Sequence, residues 1–232
     1  MTFWISAILL AFLAGSIPSG LLIARARGID IRKHGSGNIG ATNVGRVLGP
    51  KAWLQCFSAD LLKGFVPTLT AGMLAGLAGR IHMPLDQAMW WLGVMFAPIL
   101  GHMFCPWLRF KGGKGVATGL GSVLGVFPAL TIPGAVAFTV FVCVLAAKRY
   151  VSLASIVGAC TLPVTTLALF TISNRQHWLL EGTDVDSAGP WPFVGLTGIV
   201  AILVVVKHRA NLARILAGTE PKLGDRKHRA GR

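Results

Sequence analysis

Charged residues are scarce in this chain, and acidic residues are the scarcest of them. Only 13% of the 232 residues are charged, and just 8 are Asp or Glu. An average soluble domain has about 25% charged residues. Hydrophobic residues make up 53% of the chain, and its mean hydropathy is +0.66. So few polar groups could not cover the surface of a water-soluble protein, which indicates a chain that folds in a lipid bilayer.

Cysteine is also rare, and its spacing excludes two classes of protein. The four cysteines contain no CxxC pair; they are Cys56, Cys105, Cys143 and Cys160. We interpret them as small residues of the interior and not as a disulfide framework or a zinc site. His, Cys and Asp nowhere cluster at the spacing of metal ligands, so we expect no metal and no other cofactor.

The sequence has no features of a cleaved signal peptide, of a repeat-based transporter or of a nucleic-acid-binding protein. No Lys or Arg precedes Arg25, so the first apolar run is predicted to be a membrane span and not a cleaved signal peptide. An internal repeat, which many transporters have, is not visible. A net charge of +14 would suggest nucleic acid in a soluble protein. Here the positive charge lies in loops between apolar runs, and we expect no nucleic-acid partner.

Seven apolar runs follow one another along the chain. Residues 116–147 are too many for one span of a core about 30 Å thick, and Pro128 and Pro133 divide them into two short helices. The other runs are residues 2–24, 52–79, 85–105, 151–172 and 191–206. The sequence therefore predicts an all-α integral membrane protein with seven transmembrane helices, forming a single membrane-embedded domain over residues 1–232.

The basic residues predict how these helices are oriented. Of the 22 Lys and Arg residues, 19 fall in alternate loops and in the C-terminal tail. Cytoplasmic loops carry an excess of Lys and Arg, so we place the N-terminus outside and the C-terminus in the cytoplasm. This predicts a multi-pass membrane protein with its polar loops facing the cytoplasm.

The first of these loops is dense in glycine and in neutral hydrogen-bond donors. Glycine lets backbone N–H groups approach an anion, and an arginine adds a bidentate fork, so the loop suits a phosphate group. A flexible linker is the alternative, although a linker has no need of such closely spaced polar side chains. The candidate residues are Ser36, Gly37, Asn38, Thr42, Asn43 and Arg46.

A second glycine-rich segment stands directly before an apolar helix. A helix N-terminus preceded by glycine and lysine favours an anion. The nucleotide-binding pattern GxxxxGK[ST] is absent, because Gly115 follows Lys114. Basic residues on a simple turn are the alternative. The candidates are Lys111, Gly112, Gly113, Lys114, Gly115 and Thr118.

A third segment continues from the last apolar run. His208, Asn211 and Arg214 are three residues apart, so they share a helix face. The histidine could act as a base or as a phosphate donor, or it could be merely solvated. Within or beside the apolar runs, polar side chains also need a partner or a function. These are Asp60, Lys63, His102 and Ser152, and Asp60 and Lys63 could equally form a structural ion pair or belong to a site.

Taken together, the three segments resemble the PlsY family of acyl-phosphate:glycerol-3-phosphate acyltransferases. The family's motifs correspond here to residues 36–46, 111–118 and 208–220, and shorter signatures match at residues 60–64, 101–102 and 150–155. Two positions depart from the family pattern: Ile39 stands where proline is usual, and Ala210 stands where glutamate is usual. The first affects turn rigidity alone, and the second removes a carboxylate from any mechanism.

The resemblance implies a multi-pass protein of the bacterial inner membrane, with its N-terminus in the periplasm and its active site facing the cytoplasm. It also implies a reaction and its partners. A fatty acyl group would pass from acyl phosphate to the 1-hydroxyl of glycerol 3-phosphate, giving lysophosphatidate and phosphate, the first step of phospholipid synthesis. Glycerol 3-phosphate, acyl phosphate and membrane lipid would be the partners, with no docking of acyl carrier protein. An organic-phosphate transporter and an acyl-CoA-dependent acyltransferase are the rival functions.

The resemblance also implies roles for residues. Ser36, Arg46, His208 and Asn211 would be catalytic, and the other candidates of the first two segments would bind phosphate together with Ser152. The supporting residues would be Asp60, Lys63, His102 and Glu220. Either His208 or a phosphate oxygen of a substrate would serve as the base.

Overall fold

A computed structural model describes residues 1–180 and 187–224 of the chain, apart from the side chains of residues 174–180. Within these residues there are ten α-helices and no strand beyond two isolated bridges. Residues 225–232 lie outside the described residues, and they include four of the eight Lys and Arg residues that follow the last apolar run. The helices are α1 (Thr2–Ser16), α2 (Ser19–Arg25), α3 (Ala41–Leu48), α4 (Pro50–Leu74), α5 (Leu85–Met103), α6 (Val116–Gly125), α7 (Thr131–Lys148), α8 (Val151–Leu180), α9 (Trp191–Lys207) and α10 (Arg209–Leu216).

All seven predicted apolar runs are helical, but their lengths differ. The first run breaks into α1 and α2 at Ile17 and Pro18, because proline has no N–H to continue the helix. The run over residues 116–147 divides as predicted, and its first half, α6, has only 10 residues. Among the described residues, four segments are long and apolar enough to cross a bilayer, namely Thr2–Arg25, Leu85–Leu108, Thr131–Lys148 and Val151–Ser173. Counting α9 and α10 as one span bent by 56° gives five.

Close contacts between glycine and backbone set the helix directions. A Cβ on Gly64 of α4 would lie 2.3 Å from the Thr118 carbonyl oxygen of α6. A Cβ on Gly121 would lie 2.0 Å from the Leu61 oxygen. Four residues further along α6, a Cβ on Gly125 would lie 3.0 Å from the carbonyl oxygen of Phe65, four residues further along α4. The partners therefore advance in the same direction, so α4 and α6 run parallel. Small residues at such crossings let helix backbones approach in a membrane.

A buried ion pair joins α4 to the break in the first span. Lys63 Nζ lies 2.8 Å from Asp60 Oδ1 and donates to the carbonyl oxygen of Ile17 at 2.7 Å. Both charged side chains are almost fully buried. Asp60 Oδ1 also lies 3.7 Å from His102 Nδ1 on α5. The first of the two alternatives for this pair, a structural ion pair, is therefore what the fold contains.

Replacing Lys63 by Met should destabilise the protein by about 3–5 kcal/mol, because it leaves the Asp60 carboxylate buried and unpaired. Thermal unfolding of the detergent-solubilised protein would measure the loss. Lys51→Met, which changes an exposed residue in the first turn of the same helix, is the matched control. Adding Asp60→Asn should recover part of the stability. A wild-type melting temperature in Lys63→Met alone would contradict a structural role for the pair.

Candidate functional site

The third segment folds back on itself around Glu220. The chain bends by 56° between α9 and α10, with His208 at the bend. After α10 it reverses at Gly218, whose φ of 69° suits glycine. The backbone N–H groups of Thr219 and Glu220 then donate to the Arg214 carbonyl oxygen at 2.8 and 3.1 Å. This reversal returns the Glu220 side chain to the face of α10 that carries Asn211 and Arg214.

The buried Glu220 carboxylate accepts hydrogen bonds from three side chains. Oε1 accepts from Ser152 Oγ at 2.9 Å and from Asn211 Nδ2 at 2.6 Å. Oε2 accepts from Arg214 Nε at 2.8 Å. Lys114 Nζ reaches the same group from the second segment, since it donates to Asn211 Oδ1. We call Lys114, Ser152, Asn211, Arg214 and Glu220 the Glu220 cluster.

The surroundings of the cluster shift two pKa values. Burial alone would raise the pKa of Glu220, but hydrogen bonds from Asn211, Ser152 and Arg214 outweigh it, so its pKa lies below the ordinary value. Glu220 is therefore ionised at neutral pH. Burial lowers the pKa of Lys114 to about 8; Glu220 opposes this shift, and Arg214 and Arg46 add to it. Lys114 is thus a cation that can lose its proton just above neutral pH.

The second segment presses its glycines against His102. Gly113 donates its N–H to the His102 carbonyl oxygen at 3.0 Å. A Cβ on Gly112 would lie 2.0 Å from that oxygen, and one on Gly113 would lie 2.1 Å from His102 Nε2. A side chain at Gly112 would collide with backbone, and one at Gly113 would displace the His102 ring. The loop that carries Lys114 therefore lies directly against the end of α5 at His102.

The first segment is organised by Asn43, which points inward. Its Nδ2 donates to the carbonyl oxygens of His34 and Asn38 at 3.0 and 2.9 Å, and its Oδ1 accepts the Ser36 N–H at 2.9 Å. Asn38 Oδ1 accepts the Gly40 N–H at 2.9 Å. Asn43, predicted as a phosphate ligand, thus uses its carboxamide to shape the loop.

Arg46 extends from α3 towards the C-terminal segment. Its Nη2 donates to the Pro221 carbonyl oxygen at 3.4 Å. Because Pro221 follows Glu220 directly, this contact brings the first segment to the edge of the Glu220 cluster. The three sequence segments and Ser152 therefore meet in one place.

A backbone contact fixes the tautomer of His208. The buried ring places Nδ1 2.8 Å from the Val204 carbonyl oxygen. A carbonyl can only accept, so Nδ1 carries the proton, and Nε2 of the neutral ring keeps its lone pair. No hydrogen bond joins Nε2 to another group in the described part of the chain. The geometry therefore leaves an unprotonated ring nitrogen without a hydrogen bond to the described part of the chain.

Not every predicted residue joins the cluster. Ser36 and Lys111 are exposed, Gly37 and Thr42 are half-buried, and none has a side-chain contact with the cluster among the described residues. Thr118 is buried between α6 and α4, and its Oγ1 has no hydrogen-bond partner there. Arg214 is the residue that sequence reasoning missed as a site member. Its spacing from Asn211, noted in the sequence, was the available signal.

An apolar groove begins beside the cluster and continues between the helices. Gly115, next to Lys114, lies at one end, together with Val204, whose carbonyl oxygen is bonded to His208. The groove contains a cavity of about 90 Å³. Aromatic and aliphatic side chains of α6, α7, α8 and α9 line it, among them Leu120, Phe138, Phe141, Leu162 and Val200. The polar Glu220 cluster therefore lies next to an apolar groove.

The sequence profile of the family described as glycerol-3-phosphate acyltransferase matches residues 5–218 of the chain. The chain belongs to this family. Its membership confirms the resemblance drawn from the three segments. It also identifies the protein as an acyltransferase of phospholipid biosynthesis.

Curated and structural relatives agree along nearly the whole chain. The glycerol-3-phosphate acyltransferase of Geobacter sulfurreducens is 44% identical over 210 residues, covering 90% of this chain and 92% of its own. PlsY, an integral membrane glycerol 3-phosphate acyltransferase, has a similar crystal structure in its glycerol 3-phosphate form, with a TM-score of 0.76 and 33% identity. That match covers 95% of this chain and 96% of the other. The lysophosphatidic acid form matches with a TM-score of 0.74. The similarity supports an all-helical integral membrane protein.

Gly112→Ala should reduce acyltransferase kcat/KM by about 10- to 100-fold, because a Cβ at this position collides with the His102 backbone and displaces Lys114. Initial rates in detergent micelles would measure the loss. Gly195→Ala, where a Cβ meets nothing within 4 Å, is the control and should retain wild-type activity. Equal activity in both variants would mean that the seat of the loop on α5 has no role in catalysis.

Proposed function

We propose that the protein transfers a fatty acyl group from acyl phosphate to the 1-hydroxyl of sn-glycerol 3-phosphate, forming lysophosphatidate and inorganic phosphate. The observation that carries this proposal is the position of the Glu220 cluster at the end of the apolar groove, with Lys114 and Gly115 adjacent in sequence. Such a site suits a substrate with an anionic head and a hydrocarbon chain. The solved relatives in glycerol 3-phosphate and lysophosphatidic acid forms support the acceptor and the product.

The polar half of the site would hold phosphate groups. Lys114 and Arg46 supply positive charge, and the Gly112–Gly115 loop supplies backbone N–H groups at the start of α6. Ser36, Gly37, Asn38 and Thr42 on the first loop, with Lys111 on the second, would add ligands as the loops close on a substrate. Asn43, Thr118, Asp60, Lys63 and His102 would act indirectly, by fixing the shape of the two loops.

The apolar half would hold the acyl chain. Its lining comes from α6, α7, α8 and α9, so a chain could enter sideways from lipid without crossing water. The reacting carbonyl would then sit where the groove meets Gly115 and His208. Two observations support an acyl phosphate donor. One is the family resemblance, and the other is that the site has two cations, Lys114 and Arg46, for the phosphates of two substrates.

The chemistry would be a direct transfer without a covalent acyl-enzyme. The 1-hydroxyl oxygen forms a bond to the acyl carbonyl carbon, and the bond from that carbon to the phosphate oxygen breaks, so the electron pair leaves with phosphate. The hydroxyl proton passes to His208 Nε2 or to a phosphate oxygen of a substrate. Proximity and charge stabilisation supply most of the acceleration, because acyl phosphate already has a good leaving group.

In the membrane, we propose that all seven apolar runs are embedded, with the N-terminus in the periplasm and the site at the cytoplasmic face. The internal Asp60–Lys63 pair removes the main cost of placing α4 in lipid. At 10 residues, α6 would reach about half-way across, since a helix rises about 1.5 Å per residue. Its position against α4 would shield its ends from lipid.

A donor assay tests the reaction. Purified protein would receive labelled glycerol 3-phosphate with palmitoyl phosphate, palmitoyl-CoA or palmitoyl-acyl carrier protein in separate reactions. We expect lysophosphatidate with palmitoyl phosphate alone. Product from a thioester alone would keep the acceptor and overturn the donor. Glycerol 3-phosphate left unacylated by every donor, with folded protein, would favour the transporter.

The pH dependence of kcat/KM for glycerol 3-phosphate should report Lys114. The pKa of this lysine is lowered to about 8, so its charge is present below that pH and is lost as pH rises through it. Because kcat/KM follows the free enzyme, it should fall about tenfold between pH 7 and pH 9, as the protonated fraction does. The phosphate, whose second pKa is about 6, stays dianionic throughout. Lys114→Arg should remain flat over this range if it retains activity, and the same fall in that variant would assign the titration to another group.

A further inference from the structure

The segment after Glu220 lies antiparallel to the corner between α7 and α8. Glu220 pairs with Ser152, and Lys222 Nζ sits 5.5 Å from the centre of the Tyr150 ring. The backbone N–H of Leu223 donates to the Arg149 carbonyl oxygen at 2.7 Å. The contacts pair residue 220 with 152, 222 with 150 and 223 with 149, so the two segments run in opposite directions in one continuous register. The matched family profile ends at residue 218, before this segment begins.

Arg149 contributes its side chain to the same pairing. Its Nε and Nη2 both donate to the Leu223 carbonyl oxygen, at 3.1 and 2.6 Å. Its backbone has a φ of 62°, in the left-handed region, where a residue with a Cβ is strained. Glycine would fit this turn with less strain. The hydrogen bonds from the Arg149 guanidinium to Leu223 are contacts that glycine could not make.

On its other side the segment is held by the first sequence motif. Arg46 Nη2 donates to the Pro221 carbonyl oxygen, while Glu220 immediately before it carries the hydrogen bonds of the cluster. The segment therefore ties the α7–α8 corner to α3 across the site. A displacement of residues 221–224 would move the Glu220 carboxylate and the Arg46 guanidinium together.

We propose that residues 221–224 form a clasp that positions the phosphate-binding groups, and that Arg149 is the positioning residue that fastens it. The proposal rests on the function proposed above, since it assigns Lys114 and Arg46 to phosphate. Arg149 itself contacts no reacting group; it acts through Leu223 and, from there, through Glu220. Opening the clasp should weaken the binding of glycerol 3-phosphate more than it slows turnover.

The first test is Arg149→Gly in the full-length protein. This substitution relieves the left-handed turn, so a loss cannot come from backbone strain. We expect the KM for glycerol 3-phosphate to rise about tenfold with kcat within about twofold of wild type, the pattern of lost ground-state binding. Lys148→Ala removes an equal charge from the neighbouring, exposed position and should change neither constant. Arg149→Lys, which keeps a cationic donor, should recover part of the loss.

A second pair of variants tests the backbone half of the clasp. Leu223→Pro removes the N–H that donates to Arg149, whereas Leu223→Ala keeps it and shortens a half-exposed side chain. The proline variant should reproduce the rise in KM, and the alanine variant should resemble wild type. An unchanged KM in both Arg149→Gly and Leu223→Pro would overturn the proposal. So would a fall in kcat that matches the folded fraction with KM constant, which is the mark of a merely structural role.

Direct binding separates this proposal from the donor assignment. Calorimetric titration of glycerol 3-phosphate into the wild-type and Arg149→Gly proteins needs no acyl donor. A Kd about tenfold weaker in the variant would support the clasp even if palmitoyl phosphate proved not to be the donor. Equal Kd values would overturn the clasp while leaving the reaction intact.

Discussion

The Glu220 carboxylate accepts hydrogen bonds from Ser152 on α8 and from Asn211 and Arg214 on α10. A carboxylate offers only acceptors, and burying it without donors would cost several kcal/mol, so these helices must meet where it lies. Asn211 passes the constraint on, because the amide that donates to Glu220 also accepts from Lys114. One buried anion thus fixes the lysine of the second segment and the histidine-bearing bend of the third relative to each other.

A second buried charged group, the ion pair of Asp60 and Lys63 on α4, stabilises the packing among the helices. Lys63 satisfies both Asp60 and the carbonyl oxygen left at the break between α1 and α2. Asp60 approaches His102, and His102 seats the glycine loop that carries Lys114. The polar interior of the helices and the polar surface of the site are therefore linked through one short loop. The close approach to the His102 backbone explains on steric grounds why glycine stands at Gly112.

Local sequence patterns were sufficient for the apolar helices, but not for α3, which lies in a segment that the sequence pattern predicts to be a loop. Hydropathy located each apolar run, and the prolines near residue 130 predicted the division between α6 and α7. Pro18 was equally visible, yet a lone proline near a helix end does not reveal whether the chain kinks or breaks. The close approach of α6 to α4 depends on glycines of both helices, and no local pattern reveals which helices will pair.

The sequence indicated which segments carry the candidate site more readily than it indicated which contacts each side chain makes. Asn43 looks like a free donor in the sequence, but the loop backbone occupies its carboxamide. The importance of Glu220 and Arg214, like the partner of Lys63, depends on contacts between residues distant in sequence or brought together by a turn at Gly218. Ala210 departs from the family pattern, and its exposed position on α10 explains why the cluster forms without a carboxylate there.

A structure of this protein with glycerol 3-phosphate bound and no acyl donor tests the central claim most directly. The account predicts phosphate density within hydrogen-bond distance of Lys114 Nζ, with the 1-hydroxyl directed at the end of the groove beside Gly115. Glu220 should still accept hydrogen bonds from Ser152 and Asn211. Phosphate bound away from Lys114, or a Glu220 carboxylate released from both donors, would contradict it.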